Sequence, residues 1–335
     1  MPTANVKRQT SNVKLPISNL RPPTSIIIPN WNGAQHLPTC LDSLRRQTYP
    51  SFEVIVVDNG SSDGSLELVE RDYAEVRVVA LPQNRGFAGG VNAGIREAEG
   101  EIVAVFNNDA EADPRWLEEL VDGLGRHPEA GMATPKVLLF DQRDVIHTSG
   151  DFYGVDGVPG NRGVWQRDEG QFDGEEYVFG AAGVAAAYRR TMLDEDEVGL
   201  FDEDLFSFCE DVDLAWRAQL AGWKCVYVPT AVVYHKLSAT GGGKIASYYC
   251  GRNFIYVMAK DYPTTLLRKH WRRIVCAQID IAWKALKAWR GEAARARLRG
   301  QLAGLWGLPR MLARRRAVQA SKRVTDEYLE SILTH

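Results

Sequence analysis

Four apolar runs recur between residues 25 and 106, each closed by a polar loop that leads into a helical pattern, and this alternation constrains the fold more than any other feature. Ser25-Ile26-Ile27-Ile28-Pro29 passes through Asn30-Trp31-Asn32-Gly33 into a helix read from Leu37, Leu41 and Leu44. Phe52 to Val57 passes through Asp58 to Gly64 into a helix on Leu66 and Val69. Val76 to Leu81 is a third strand, after which Asn84 to Gly90 opens a helix running to Ala98. Glu101 to Phe106 is a fourth, ending in Asn107-Asn108-Asp109 before a helix from Trp116 to Leu124. Strands and helices at this spacing build βαβ units, whose right-handed crossovers predict an α/β fold with a mostly parallel, layered sheet. In such sheets ligands bind outside the carboxyl ends of the strands, where three of these polar loops must meet.

With 335 residues, 45% of them apolar, the chain can bury a full core in one large or two modest domains. Residues 1–23 are polar and Pro-containing, a loose extension, and the fold begins at Thr24. Residues 141–175 are rich in Gly and Asp and read as loops or hairpins that shape an acceptor cleft. Gly180-Ala181-Ala182-Gly183 is a small-residue segment that another backbone or a ligand approaches closely. The stretch from Phe206 leads into a helix ended by Gly222, followed by strands Lys224 to Val228 and Val232 to His235. Beyond Tyr248 the chain is mainly helical. Five cysteines, an odd number without a CxxC, argue against a disulfide framework or a structural zinc site. No run approaches ~18 apolar residues and the N-terminus lacks a signal-peptide core, so the expected location is cytoplasmic.

The net charge of −3 hides two opposite halves, −17 over residues 1–235 and +14 over residues 236–335. A basic tail seeks a polyanion or the acidic body itself. Aromatic stacking patterns of nucleic-acid modules are missing, so no nucleic-acid partner is expected. Trp271, Ile274, Ile281, Trp283 and Leu286 alternate with Arg268, Lys269, Arg272, Arg273, Lys284, Lys287 and Arg290, and Arg295 to Arg316 adds a further basic stretch. Two readings stand: an interfacial anchor on an anionic membrane, peripheral on the inner face, or helices that pack on the body and leave a solvated basic face.

Asn108-Asp109 at a strand end suits a divalent ion on Asp109 and a sugar or ribose hydroxyl on Asn108; the plainer alternative is a turn cap. Asp58 accepts either a base edge or its own turn. A Walker A loop is absent, and Gly86-Phe87-Ala88-Gly89-Gly90 has neither the spacing nor the position of a dinucleotide fingerprint.

Taken together, Ile28 to Gly33, Val56 to Ser65, Asn84 to Gly94, Phe106 to Asp109, Glu210-Asp211-Val212-Asp213-Leu214-Ala215-Trp216-Arg217 and His235 resemble the inverting glycosyltransferases of family 2, and within it the bacterial rhamnosyltransferase-like members. The resemblance implies a GT-A fold over residues 24–260, with a donor-binding half at 24–135, an acceptor-binding half at 136–260, and a basic helical region at 261–335. It implies that Asp58 reads the base of a nucleoside diphosphate sugar, with Pro29, Asn30 and Asn32 lining base and ribose, and Asn84, Asn92 and Asn108 on the donor side. Asp109 and His235 would hold Mg²⁺ or Mn²⁺. The family's Asp-x-Asp is here Asn107-Asn108-Asp109, a single carboxylate, so the ion leans on the diphosphate. Asp211 is the expected base, held ionised by its helix start and tuned by Glu210, while Asp213 supports the helix; Arg252 is a candidate for the diphosphate. The implied reaction moves a sugar to a saccharide or lipid-linked acceptor in bacterial surface polysaccharide synthesis. dTDP-rhamnose is the donor the resemblance suggests, and UDP-hexoses stay open. A processive synthase would carry Gln-x-x-Arg-Trp and a nucleotidyltransferase a basic Gly-rich loop near the N-terminus, neither of which is present. The rival of another class is a catalytically inactive nucleotide-sugar-binding module.

Overall fold

The computed structural model describes residues 21–236 and 243–335, so residues 1–20 of the expected N-terminal extension lie outside the described residues. Strands β1 (Thr24–Asn30), β2 (Phe52–Asp58), β3 (Arg77–Ala80) and β4 (Ile102–Val105) run parallel in the order β4-β1-β2-β3. Helices α1 (Leu37–Arg45), α2 (Ser65–Asp72) and α3 (Gly86–Glu97) make the crossovers. The runs are continuously apolar because both faces of the sheet are covered, and successive residues point to opposite sides. Ile27, Ile55, Val57, Val103 and Val105 enter one core with Val91 and Ile95 of α3 and with Leu214 and Trp216 of α5 (Glu210–Ala221). Ile26, Ile28, Val56, Ala104 and Phe106 enter the other with Leu37, Leu41 and Leu44 of α1 and with Trp116 and Leu120 of α4 (Trp116–Arg126).

Beyond β4 the sheet is mixed. β11 (Ala187–Arg189) lies antiparallel between β4 and β6 (Ala130–Leu139), β12 (Lys224–His235) returns parallel to β6, and β10 (Glu176–Val178) closes the edge antiparallel to β12. The parallel arrangement expected from the sequence therefore describes β1 to β4 and the β6–β12 pair, and short antiparallel strands join them. Because β6 runs across residue 135, the regions 24–135 and 136–260 share one sheet. β5 (Ala110–Ala112) pairs antiparallel with the end of β12, β7 (Ile146–Thr148) with β6, and β8 (Asp151–Tyr153) with β9 (Pro159–Asn161) in a separate hairpin. What approaches the small-residue segment is α5: a Cβ on Gly180 would stand 2.6 Å from that of Ala215.

The C-terminal region is helical throughout: α6 (Lys244–Lys260), α7 (Thr264–Lys287), α8 (Glu292–Ala320) and α9 (Asp326–Ser331). Gly300 and Gly304 of α8 let it run closely along the backbone of α6. Part of the basic tail does pair with the acidic body: Arg314 bridges Asp202 and Asp204 at 2.8 and 2.6 Å, and Arg323 meets Glu197 at 2.7 Å. Buried Lys260 sits between Asp202 and Asp213, the latter also held by Arg217 at 2.9 Å. Burial pulls the Asp213 carboxyl upward, but Lys260 and Arg217 outweigh it and hold that group well below the usual carboxylate range. Of the apolar residues singled out on α7, Ile274 is buried against the body and Ile281 partly so, whereas Trp271, Trp283 and Leu286 stay about half exposed. No helix among the described residues is long and apolar enough to cross a membrane.

Candidate active site

The site gathers at the carboxyl ends of β1, β2 and β4. The β1–β2 register places Asn30 opposite Asp58, and a chain of side chains follows from it. Asn108 donates to the Asn30 side-chain oxygen at 2.7 Å, and Asn30 in turn donates to Asp58 at 3.3 Å. Asp58 also accepts the Ser61 backbone N–H at 3.1 Å, which closes its turn. All three side chains are buried. Gly33 is required here, since any Cβ would overlap both the Asn30 and Asn108 amides. Pro29 stands next to Asn30 in β1, opposite Val57. Asn32 has a left-handed backbone (φ 51°) and accepts the Ser62 N–H at 2.8 Å, joining the loops after β1 and β2.

Asp109 and His235 meet through the antiparallel pairing of β5 with β12, in which His235 faces Ala110. Their Oδ1 and Nε2 atoms are 3.0 Å apart, and both side chains are nearly buried. Asn107 sets its amide nitrogen 3.3 Å from the same Nε2, while its Oδ1 is buried without a partner. Among the described residues no group of three or more His, Cys, Asp or Glu side chains is arranged to hold an ion alone. The chemistry of this donor set, one carboxylate, one imidazole and an orphaned amide oxygen, nevertheless fits an ion that takes its remaining ligands from phosphate and water.

Asp211, in the first turn of α5, lines the same cleft, whose volume is about 440 Å³ and whose lining includes Asp109, His235, Asp151 and Asp211. Its Oδ2 accepts the Gly183 N–H at 2.9 Å and its Oδ1 the Val212 N–H at 2.8 Å. A Cβ at position 183 would lie 3.1 Å from that Oδ2, so glycine keeps the approach open. Burial pushes the Asp211 carboxyl up against the opposing pull of those two N–H groups. To the helix start and Glu210 of the sequence reading the structure adds burial, the largest influence on this carboxyl. Neighbouring Glu210 is buried with an unpartnered Oε2, and burial together with Asp211 raises its carboxyl well above the usual range. The segment that delivers the pair is strained: Phe206, Phe208 and Cys209 have φ of 64°, 66° and 67°. Asn253 of α6 pins it, donating to the carbonyls of Leu205, Ser207 and Phe208 at 3.0, 3.0 and 2.6 Å.

Other expected residues stand elsewhere. Asn84 accepts the Gly86 N–H at 2.7 Å at the start of α3. Asn92 is buried and exchanges two hydrogen bonds of 2.9 and 3.0 Å with the Phe201 backbone while donating to Glu203 at 3.1 Å, so it holds that segment and does not line the cleft. Arg252 donates to the carbonyls of Asp204 and Leu205 instead of presenting a free cation. Asp213 is completely buried in the Lys260 network and does not line the cleft. Two cleft residues carry no signal that the sequence reading used. His147 of β7 stacks on His235, ring centroids 5.0 Å apart, with the two Nδ1 atoms at 3.2 Å; burial and then His235 push its imidazole down to about 3. Asp151 of β8 is buried, accepts the Asn161 amide at 3.0 Å, and is raised well above the carboxylate range by burial and by Asp211. Both fall within the region read only as Gly- and Asp-rich loops.

The family described as Glycosyl transferase family 2 matches residues 25–196, which takes in Asp58 and Asp109 and stops short of Asp211 and His235. The N-acetylglucosaminyl-diphospho-decaprenol L-rhamnosyltransferase of Mycobacterium tuberculosis is 30% identical over 260 residues, covering 70% of this chain and 83% of that protein. The O-antigen biosynthesis protein RfbC of Myxococcus xanthus is 33% identical over 228 residues, covering 64% of this chain and 17% of that protein. Among solved structures, GalNAc-T7 with UDP, GalNAc and Mn²⁺ superposes with a TM-score of 0.57 at 17% identity, covering 71% of this chain and 48% of that one. S. aureus TarS with UDP-GlcNAc superposes with a TM-score of 0.55 at 18% identity, covering 93% of both chains. The chain has the GT-A fold and belongs to glycosyl transferase family 2, the inverting glycosyltransferases, related to its bacterial rhamnosyltransferase-like members.

Proposed function

We propose that this glycosyltransferase is metal-dependent and moves a sugar, with inversion, from a nucleoside diphosphate donor to a saccharide or lipid-linked acceptor of bacterial surface polysaccharide. The observation that carries the reading is the convergence of Asp109, His235 and Asp211 on one cleft beside the Asn108–Asn30–Asp58 chain. Asp58 accepts from the base, Pro29, Asn30 and Asn32 line base and ribose, and Asn108 meets a ribose or sugar hydroxyl. Asn84 and Asn92 shape the donor side through the loop before α3 and the Phe201 segment. Asp109 and His235 hold Mg²⁺ or Mn²⁺, with the buried Asn107 oxygen beside them. When bound, the ion neutralises the charge that grows on the departing diphosphate.

Because that leaving group departs without a proton, one carboxylate is enough, unlike the two that a glycoside hydrolase needs. Asp211 takes the proton of the acceptor hydroxyl at a carboxylate oxygen as the acceptor attacks the anomeric carbon from the face opposite the diphosphate. Its raised pKa brings it nearer the working pH, where a general base is most effective. Rhamnose is the sugar we favour, because the M. tuberculosis relative is an L-rhamnosyltransferase by name. The test is release of nucleoside diphosphate across a panel of dTDP-, UDP- and GDP-sugars with Mn²⁺, Mg²⁺ or chelator. Release with one donor that collapses under chelation is the expected result. Donor binding without release under any acceptor would instead favour an inactive binding module.

A further inference from the structure

Ten of the fourteen most exposed large apolar side chains among the described residues lie between residues 271 and 312, on the hairpin of α7 and α8. Trp271, Val275, Ile279 and Trp283 recur at intervals of four on α7, which sets them along one side of the helix. That side differs from the one that buries Leu266, His270, Ile274 and Ala285. On α8, Leu305 and Trp306 are exposed by 55% and 89%, while Gly300, Gly304 and Met311 face the body. Among the described residues these apolar side chains are covered only in part, and an exposed apolar surface of this extent marks a site that binds something.

The charge around them says what. Residues 264–320 contain 14 Lys and Arg against 2 Asp and Glu. Among the described residues, Lys284 and Arg314 are paired with Asp280 and Asp202, whereas Arg268, Arg272, Arg273, Lys287 and Arg290 are exposed and make no ion pair. A second copy of the chain would bring the same positive charge against itself. A nucleic acid would satisfy the cations and leave the Trp, Ile and Leu side chains in water. An anionic bilayer surface satisfies both, with indole rings at headgroup depth and cations against phosphates.

We infer that the α7–α8 hairpin docks this protein onto an anionic lipid surface, lying on it rather than crossing it. Docking there would hold the enzyme on the surface that carries a lipid-linked acceptor, a use that rests on the function proposed above; the docking itself does not. The test is flotation of the full chain, without donor or acceptor, on vesicles of phosphatidylcholine alone or with roughly a third phosphatidylglycerol. Binding is expected on the anionic vesicles only and should weaken steeply with salt. Arg268→Gln/Arg272→Gln/Arg273→Gln should weaken it by about a hundredfold, from roughly fivefold for each cation. Leu305→Ser/Trp306→Ser should weaken it at least ~10-fold through lost apolar insertion. Both variants should keep the wild-type melting temperature and nucleotide affinity, which separates lost docking from lost fold. No binding by the wild-type chain, binding equal in all variants, or a dimer that the Leu305/Trp306 variant splits would overturn the inference. Failure of the donor panel with vesicle docking intact would count against the proposed reaction alone.

Discussion

Replacing Asp211 by Asn tests the proposed chemistry at one atom. Asn is nearly isosteric but cannot take a proton, and proton transfer by a positioned group contributes ~10²- to 10⁴-fold, or about 2.7–5.4 kcal/mol of barrier. The structural cost is smaller. The carboxylate accepts two backbone N–H groups, from Gly183 and Val212, and the amide can accept only one of them through its oxygen. Losing one such charge-assisted bond costs about 1.5–3 kcal/mol, partly offset because a buried charge is removed. Turnover should therefore fall ~100- to 10,000-fold while the melting temperature moves by only a few degrees. Donor affinity, measured by calorimetry, should barely change, since Asp58 and Asp109, not Asp211, are the residues proposed to hold the donor. The pH profile gives an independent reading. A base works only when deprotonated, so wild-type turnover should decline as pH falls through the Asp211 value. That limb should lie above the usual ~3.9 of an aspartate, because burial raises the group. Near-normal turnover in Asp211→Asn, or joint loss of turnover and donor binding, would refute the assignment.

Asp109→Ala should abolish the stimulation of turnover by Mn²⁺ or Mg²⁺ and leave the fold intact, checked by activity against added ion and by circular dichroism; stimulation that persists would place the ion elsewhere. Lys260→Met should destabilise the protein by about 3–5 kcal/mol in denaturant titrations, because it leaves Asp202 and Asp213 buried without their cation. A loss below about 1 kcal/mol would mean that Arg217 and Arg314 alone satisfy those carboxylates.

The donor half is plain in the sequence because each of its elements is long enough to show a period and is punctuated by a loop with its own chemistry. Ile26-Ile27-Ile28 and Val54 to Val57 could be little other than strands covered on both faces. β6 carries no such mark: Ala130-Gly131-Met132-Ala133-Thr134-Pro135-Lys136 mixes a glycine, a proline and a lysine, and no helix pattern follows it. The fold tolerates Lys136 in mid-sheet because its ammonium meets Asp168 and Asp173 at 2.9 and 2.6 Å, residues more than thirty positions away. β5, β7 and β11 have three residues each, too short for any periodicity, and exist because longer neighbours pair with them. Asp58 and Asp109 sit at strand ends where a local reading can find them. His147 and Asp151 become cleft residues only where the fold sets them beside His235 and Asp211, partners far along the chain that a single sequence does not bring together.

The loop before α5 has a consequence for how the reaction is timed. Three non-glycine residues held at positive φ cost on the order of 1–3 kcal/mol each, and the Asn253 amide, with every donor committed to that loop, helps keep them there. The aim of Asp211 is thus settled once, during folding, and does not have to be re-established at each turnover. If Asp211 is the base proposed above, an arriving acceptor meets a carboxylate whose orientation is already set, so the ordering that acceptor binding must bring about concerns the acceptor alone.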